Sequence, residues 1–564
     1  MDTADKKSRP DAEPLKLDTI LVQEVGQFGP YQLRSLILAA VIAIFTAWSA
    51  GEYIFTTART PTRCFIEECD GEVPEYEPPW ITVAVPATSS GFDNCARFEN
   101  RTVPPDEQLP VDACPAQLFD PSATRPCDAY VYENTHSVVA DFGLECDEWR
   151  RTLIGSIRTV GTLTVLPLTG FVSDRWGRRT ALALNAFNQA WLGLVRYWSN
   201  TYIGFIISEF AEATFGSGAF SCAYILVTEL VGPKYRVVAG ATMNSFFSVG
   251  QVLLGTIARA VRPWRTLTLT LYAPQLITIA YFWVIAESVR WLLSKSRFDE
   301  ATKVLHAAAT ANGKQLSPRA VESLRAAAER ERVEAEQKAA DRARAPWLPL
   351  LVLRSRPILL RVVVSPIWWI SNTFIYYGMS INSVNLSGDG YFNYMAVSAI
   401  EIPGYWTAVY LLDRVGRRPV LCIAFWICAA CQFGYIFMPD DLWSWSLSLY
   451  LVGKFCIAMV MTSVYVYTAE LYPTEYRHSL FAFSSMMGRI GSITAPLTPA
   501  LAQTVWHGLP SALFGSCALL SGCLILLTPE TRGKRLPETM RDAELLGRTA
   551  PDSTKDRATS DSPS

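Results

Sequence analysis

The 564-residue sequence is short of nearly everything that marks a catalyst or a nucleic-acid binder. Its four histidines, His136, His306, His478 and His507, are scattered without metal-ligand spacing, so no metal centre is expected. It lacks a Walker-type Gly-rich phosphate loop, which leaves direct drive by ATP without support. Net charge is −2, so it has none of the basic excess that holds nucleic acid. Cys428 and Cys431 have redox spacing but lie in an apolar run, where packing is the expected role. No nucleophile–base constellation emerges, and neither an enzyme nor a cofactor is expected.

What the chain has instead is apolar length. Hydrophobic residues make up 50%, gathered in runs such as Thr266 to Ile285 and Val420 to Met438. A helix needs about 20 mainly apolar residues to cross the hydrocarbon core. Seventeen Trp and twenty-three Tyr suit many water–lipid boundaries. The expected fold is an all-α membrane protein with twelve transmembrane helices, at 34–56, 152–172, 179–197, 201–227, 237–258, 265–287, 357–379, 390–411, 418–438, 445–469, 479–502 and 510–528. Asn185, Asn188 and Arg196 interrupt the third run, and Glu401 the eighth.

Lys/Arg clusters fall in one alternate set of loops, which places both termini in the cytoplasm of a plasma-membrane protein. Residues 1–33 form the cytoplasmic N-terminus, whose mixed charges make the first run a signal anchor rather than a cleaved leader. Residues 57–151 are an extracellular loop, 152–287 hold spans two to six, and 288–356 are a cytoplasmic loop. Residues 357–528 hold spans seven to twelve and 529–564 a cytoplasmic tail. Runs 299–311 and 318–345 read as surface helices, and the tail from Gly547 as disordered.

The stretch 57–150 carries eighteen acidic residues against six Arg and no Lys. Cys64, Cys69, Cys95, Cys114, Cys127 and Cys146 lie in or beside it, an even set that reads as three disulfides with fifteen possible pairings. Asn100 opens one glycosylation sequon here, and Asn385 another in the seventh-to-eighth loop.

Two charged motifs occur twice. Asp174-Arg175-Trp-Gly177-Arg178-Arg179 follows the second span, and Asp413-Arg414-Val-Gly416-Arg417-Arg418 the eighth. Glu229 precedes Arg236 after the fourth span as Glu470 precedes Arg477 after the tenth. The acids are 55 residues apart in one half and 57 in the other, which marks an internal repeat of two six-helix halves. Gly177 and Gly416 permit a tight turn. Asp174 and Asp413 are expected to accept from arginines or helix N-terminal amides, and Glu229 and Glu470 to pair with arginines. These residues are assigned to gating.

The motifs resemble those of the major facilitator superfamily, and as a set those of its organic cation, carnitine and organic anion transporters. Gly26-Gln-Phe-Gly-Pro-Tyr-Gln32, Leu144-Glu-Cys146, Glu287-Ser-Val-Arg290-Trp-Leu292 and Glu470-Leu-Tyr-Pro-Thr474 carry the likeness, which runs from about residue 20 to 540. It departs at Ala286, where Pro is frequent, and at Glu209, where a basic residue is frequent. The resemblance implies the major facilitator fold and alternating access around a midplane site.

Ionisable residues inside spans are costly and mark function by default. Glu401 matches the acid of cation-transporting relatives, and Arg489 stands where anion and carnitine transporters carry Arg. Two readings stay open: together they hold a zwitterion, or they pair with each other. Glu209 and Glu212 share a helix face and join the expected substrate contacts. Trp369 and Tyr376 match ligand-lining positions of relatives, and Tyr224, Phe247 and Tyr465 are further aromatic contacts for an ammonium. The expected substrate is a small organic cation or a carnitine-like zwitterion. For a monovalent cation the membrane potential supplies about 2.3 kcal/mol per 100 mV, and the coupling ion stays open between sodium and proton. The rivals are an organic anion exchanger centred on Arg489, a sugar porter, and a ligand-binding membrane receptor without net transport.

Overall fold

A chain crossing hydrocarbon must satisfy its backbone amides internally, so each apolar run closes into a helix. The computed structural model describes residues 17–88, 91–101, 114–326, 329, 332–333, 337, 347–439 and 442–546. The helical rods are α1 (Pro30–Thr56), α2 (Glu148–Trp176), α3 (Arg178–Val195), α4 (Tyr202–Leu230), α5 (Arg236–Ala260) and α6 (Trp264–Val284). The second half repeats them as α7 (Arg356–Asn382), α8 (Gly390–Arg414), α9 (Arg417–Ile436), α10 (Trp443–Leu471), α11 (Arg477–Thr494) and α12 (Leu509–Ile525). Among the described residues nine helices are long and apolar enough to cross a membrane; α3, α11 and the shorter α12 fall outside that set. In α3 the interrupting polar groups are spoken for: Asn185 donates to the Ala181 carbonyl at 2.8 Å and accepts from Thr169 at 3.0 Å. The α4 rod breaks at Ser217 and Gly218, and α8 at Ile400.

The repeat seen in the motifs governs packing. The α1–α5, α2–α4 and α3–α6 contacts of the first half recur as α7–α11, α8–α10 and α9–α12 in the second. This is a twelve-helix major facilitator fold in a multi-pass membrane protein.

The loop after α1 is a small disulfide-bonded layer. Antiparallel pairs join Thr62–Cys64 to Tyr130–Tyr132 and Ala96–Asn100 to Phe119–Pro126. All six cysteines pair, as Cys64–Cys127, Cys69–Cys114 and Cys95–Cys146. Asn100 and Asn385 are exposed on this disulfide side. At the opposite, terminal side, Ile20, Leu21 and Val25 pack on helix Phe298–Ala311. Asn312 clasps the same segment, donating to the Val25 carbonyl and accepting from the Tyr31 amide. Arg361 at the start of α7 donates to the carbonyls of Ala543 and Leu546, so both described ends of the chain lie on one side. The expected helix 318–345 is present to residue 326; most of its remainder and the tail from Gly547 lie outside the described residues.

The two halves are sealed on the disulfide side. Phe55 stacks on Tyr391 with centroids 5.5 Å apart and meets Tyr394 edge-on at 4.9 Å. Arg259 reaches Asp389 at 3.3 Å, and Arg59 donates to Gln503 at 3.0 Å. A buried apolar cluster shared by both halves, including Ile54, Leu254, Ile381 and Ala495, completes the seal. Non-reducing peptide mapping is expected to recover the three cysteine pairs above; any crossed pairing would contradict this layer.

Candidate functional site

Glu401 lies midway along α8, and the resident partner of its carboxylate is Lys454 of α10. The ammonium sits 2.8 Å from Glu401 Oε1, and both side chains have no solvent exposure. Lys454 Nζ also donates to the Tyr376 carbonyl at 2.8 Å and to Ser380 Oγ at 2.7 Å, and lies 3.8 Å from the centroid of the Tyr376 ring. Glu401 Oε2 accepts from the hydroxyls of Tyr376 (2.7 Å) and Tyr405 (3.0 Å), and from Ser248 Oγ of α5 (2.8 Å). The Ser248 bond crosses from one half to the other, twelve residues from either end of α5. A second crossing bond, Trp406 Nε1 to Ser245 Oγ at 3.1 Å, lies beside it.

Glu401 and Arg489 are therefore not partners, which corrects the pairing alternative. Arg489 is half-buried on α11 and has no acidic partner among the described residues. Tyr377 lies within electrostatic reach of both Arg489 and Glu401. Lys454 was missed by sequence reasoning, although a lone lysine in the apolar run of α10 is as costly as the acid it matches.

The aromatic candidates fall into two groups. Trp369 is buried, donates to Thr468 Oγ1 at 3.0 Å, and meets Tyr465 and Phe481 edge-on at 4.7 and 5.7 Å. Tyr465 keeps 40% exposure. In the other half Phe220 bridges Tyr224 and Phe247, at 6.2 and 5.5 Å. Tyr224 and Tyr465 lie within electrostatic reach of each other across the halves. The Tyr376 ring already carries the Lys454 ammonium, so it is not an open face in this conformation.

Glu209 and Glu212 are not open to a substrate either. Both are fully buried against Arg158 of α2 and Arg196 at the end of α3. Arg196 also pairs with the buried Glu52 of α1, whose other oxygen accepts from Thr268 at 2.6 Å. Charge in place of apolar sequence at positions 52, 158 and 196 was the available signal for this network.

The duplicated motifs build two copies of one joint. Gly177 and Gly416 have φ of +105° and +121°, a region that L side chains rarely enter. A methyl group on Gly177 would collide with the Glu287 carboxylate, and one on Gly416 would come within 2.9 Å of Glu530. Those carboxylates, rather than Asp174 and Asp413, cap the next helix, and the aspartates take arginine partners, the first of their two expected roles. Glu287 accepts from the amides of Arg178 (2.8 Å) and Arg179 (3.1 Å), and Glu530 from Arg417 (3.0 Å) and Arg418 (2.9 Å). Burial opposes it, yet four backbone amides hold the Glu530 carboxyl below its ordinary range.

Asp174 pairs with Arg178 at 2.7 Å and Asp413 with Arg417 at 3.3 Å. Arg178 lies 4.0 Å from Glu229, and Arg417 3.1 Å from Glu470. Ser288 and Thr531 hydroxyls bond the same two glutamates. Arg236 turns instead to Asp18 at 2.6 Å, while Arg477 bonds the Tyr472 carbonyl and Thr474. Arg418 donates to the Leu526 carbonyl and Arg414 lies over Tyr410; Arg175 is exposed.

The family model described as sugar (and other) transporter matches residues 119–543. An organic cation transporter protein of Drosophila melanogaster is 31% identical over 536 residues, covering 94% of each chain. Solute carrier family 22 member 7 of Mus musculus is 29% identical and covers 94% of this chain and 97% of that protein. Among solved structures, the xylose transporter of E. coli in a partially occluded inward-open conformation gives a TM-score of 0.58 at 16% identity, over 90% of this chain and 100% of that one. That last likeness is one of fold.

Lys454→Met leaves a buried carboxylate uncompensated and is expected to destabilise the protein by about 3–5 kcal/mol. Adding Glu401→Gln should recover most of that loss in thermal unfolding of the purified protein. Equal stability of all three forms would mean that the pair does not hold α8 to α10.

Proposed function

Because the chain belongs to the sugar (and other) transporter family of the major facilitator superfamily, among its organic cation, carnitine and organic anion transporters, we propose that it moves small zwitterions across the plasma membrane. The expected cargo joins an ammonium to a carboxylate, as carnitine does, and crosses by alternating access. The observation that carries this reading is the charge balance at mid-depth. Lys454 neutralises Glu401, while Arg489 stands without an acid among the described residues. The three charges sum to +1, which favours a substrate bearing a carboxylate.

A substrate carboxylate bonded to Arg489 in a water-poor site gains a charge-assisted, potentially bidentate contact. The substrate ammonium then competes with Lys454 for Glu401 and for the Tyr376 ring. Ser248 ties Glu401 to the opposite half, so such a competition reaches the contact between the halves. A simple monovalent cation finds Glu401 already matched and Arg489 repelling it. The same balance favours an organic anion as the second reading.

With the acidic, disulfide-bonded side read as outside and the Lys/Arg-rich loops as inside, the seal around Phe55 and Tyr391 closes the outer face. The paired joints at Glu229 and Glu470 then tie helices within each half while the halves rock. Arg489→Gln is expected to lower uptake of a labelled quaternary-ammonium carboxylate by about 10–100-fold per surface molecule, the range of a lost charged hydrogen bond. Unchanged uptake would remove Arg489 from the site, and uptake of an aromatic carboxylate alone would favour the anion reading.

A further inference from the structure

Charge does not balance in the first half. Among the described residues Glu52, Glu209 and Glu212 face only Arg158 and Arg196, all of them buried, so the cluster carries a formal charge of −1 with no further counter-charge in contact. Tyr53 of α1 and Tyr272 of α6 are the other titratable groups against it, and both are neutral phenols at ordinary pH.

The oxygens are not equivalent. Glu212 Oε1 is held by Ser49 and Arg158, and its Oε2 by Arg158 and Arg196. Both oxygens of Glu52 are also taken, by Thr268 and Arg196. Glu209 Oε2 is shared by Arg158 at 2.7 Å and Arg196 at 3.2 Å. Glu209 Oε1 is buried with no hydrogen-bond partner among the described residues. An excess negative charge and one unpartnered carboxylate oxygen coincide on the same residue.

We propose that this cluster is a single-proton site, with Glu209 Oε1 the carrier, and that its proton moves with the substrate. Binding is a plain protonation: hydronium gives its proton to the carboxylate and leaves as water, and the cluster becomes neutral. A sodium ion fits poorly, because hard cations gather several oxygen ligands and one oxygen here is free beside two guanidinium groups.

The inference rests on the zwitterion reading for its purpose. A zwitterion has no net charge, so the membrane potential does no work on it, whereas a co-moving proton restores that drive. The cluster lies toward the disulfide side: Glu52 is four residues from the end of α1, and Arg196 follows the last residue of α3. In the conformation described here it sits beneath the sealed face of the two halves.

The test has two independent parts on the full-length protein. Infrared spectra with isotope-labelled glutamate carboxyls are expected to show a buried carboxylic-acid C=O band in the proton-loaded protein that Glu209→Gln removes and Glu401→Gln leaves. If Glu209→Gln does not fold, Glu52→Gln, which cancels the same excess charge, should abolish the band. A band that is missing in the wild type, or that survives these changes, overturns the proton site.

In proteoliposomes, a pH gradient should change net uptake of a labelled quaternary-ammonium carboxylate at least tenfold in the wild type and have no effect in Glu209→Gln. Uptake driven by a sodium gradient instead would overturn the coupling. A band that behaves as expected without carboxylate transport would uphold proton binding while refuting both the zwitterion reading and the coupling to it.

Discussion

Lys454 and Glu401 meet where no water reaches, and the central region is arranged around that pair. The two charges sit on different helices, α10 and α8, and Tyr376 of α7 contributes a carbonyl, a hydroxyl and a ring face to them. Ser248 extends the same network to the other half. Removing a charge from such a site leaves its partner uncompensated in low dielectric, which is why the pair constrains three helices at once. Arg489 lies outside this network, half-buried and without an acidic partner among the described residues.

The same rule of matched charge runs through both halves at two depths. At the terminal side, Glu287 and Glu530 cap α3 and α9 across turns that glycine alone enters without strain, and Arg178 and Arg417 link those turns to Glu229 and Glu470. These joints are partly exposed, so their bonds exchange readily with water during a conformational change. The Arg158–Arg196 cluster is fully buried, and it deviates from neutrality by one charge. The unmatched buried or half-buried charges, at Arg489 and at Glu209, stand where binding chemistry is proposed.

Much of the fold was legible in the sequence because hydropathy, Lys/Arg placement and the duplicated Asp–Gly–Arg turns are local signals. The six loop cysteines announced three disulfides, but their connectivity depends on strand pairing between distant residues, such as Thr62 with Tyr132, and required the folded structure. The site was legible only by residue type. Glu401 stood out as an acid in an apolar run, while its partner Lys454, 53 residues on, was overlooked, and the partner of Glu209 and Glu212 could not be read from α4 alone. Side-chain partnership across helices is a property of packing, which no periodicity within one helix encodes. Glu287 illustrates the same limit: its motif was recognised, yet its role as the cap of α3 depends on a turn 109 residues earlier.

The proposed site selects a carboxylate-bearing substrate through the net positive balance among Glu401, Lys454 and Arg489. The most direct measurement compares uptake, in proteoliposomes, of a labelled quaternary-ammonium carboxylate with uptake of its uncharged-ester analogue, which keeps the cation and loses the anion. The account predicts transport of the zwitterion and little of the ester, with the preference lost in Arg489→Gln. Equal or faster transport of the ester, unaffected by that substitution, would contradict it.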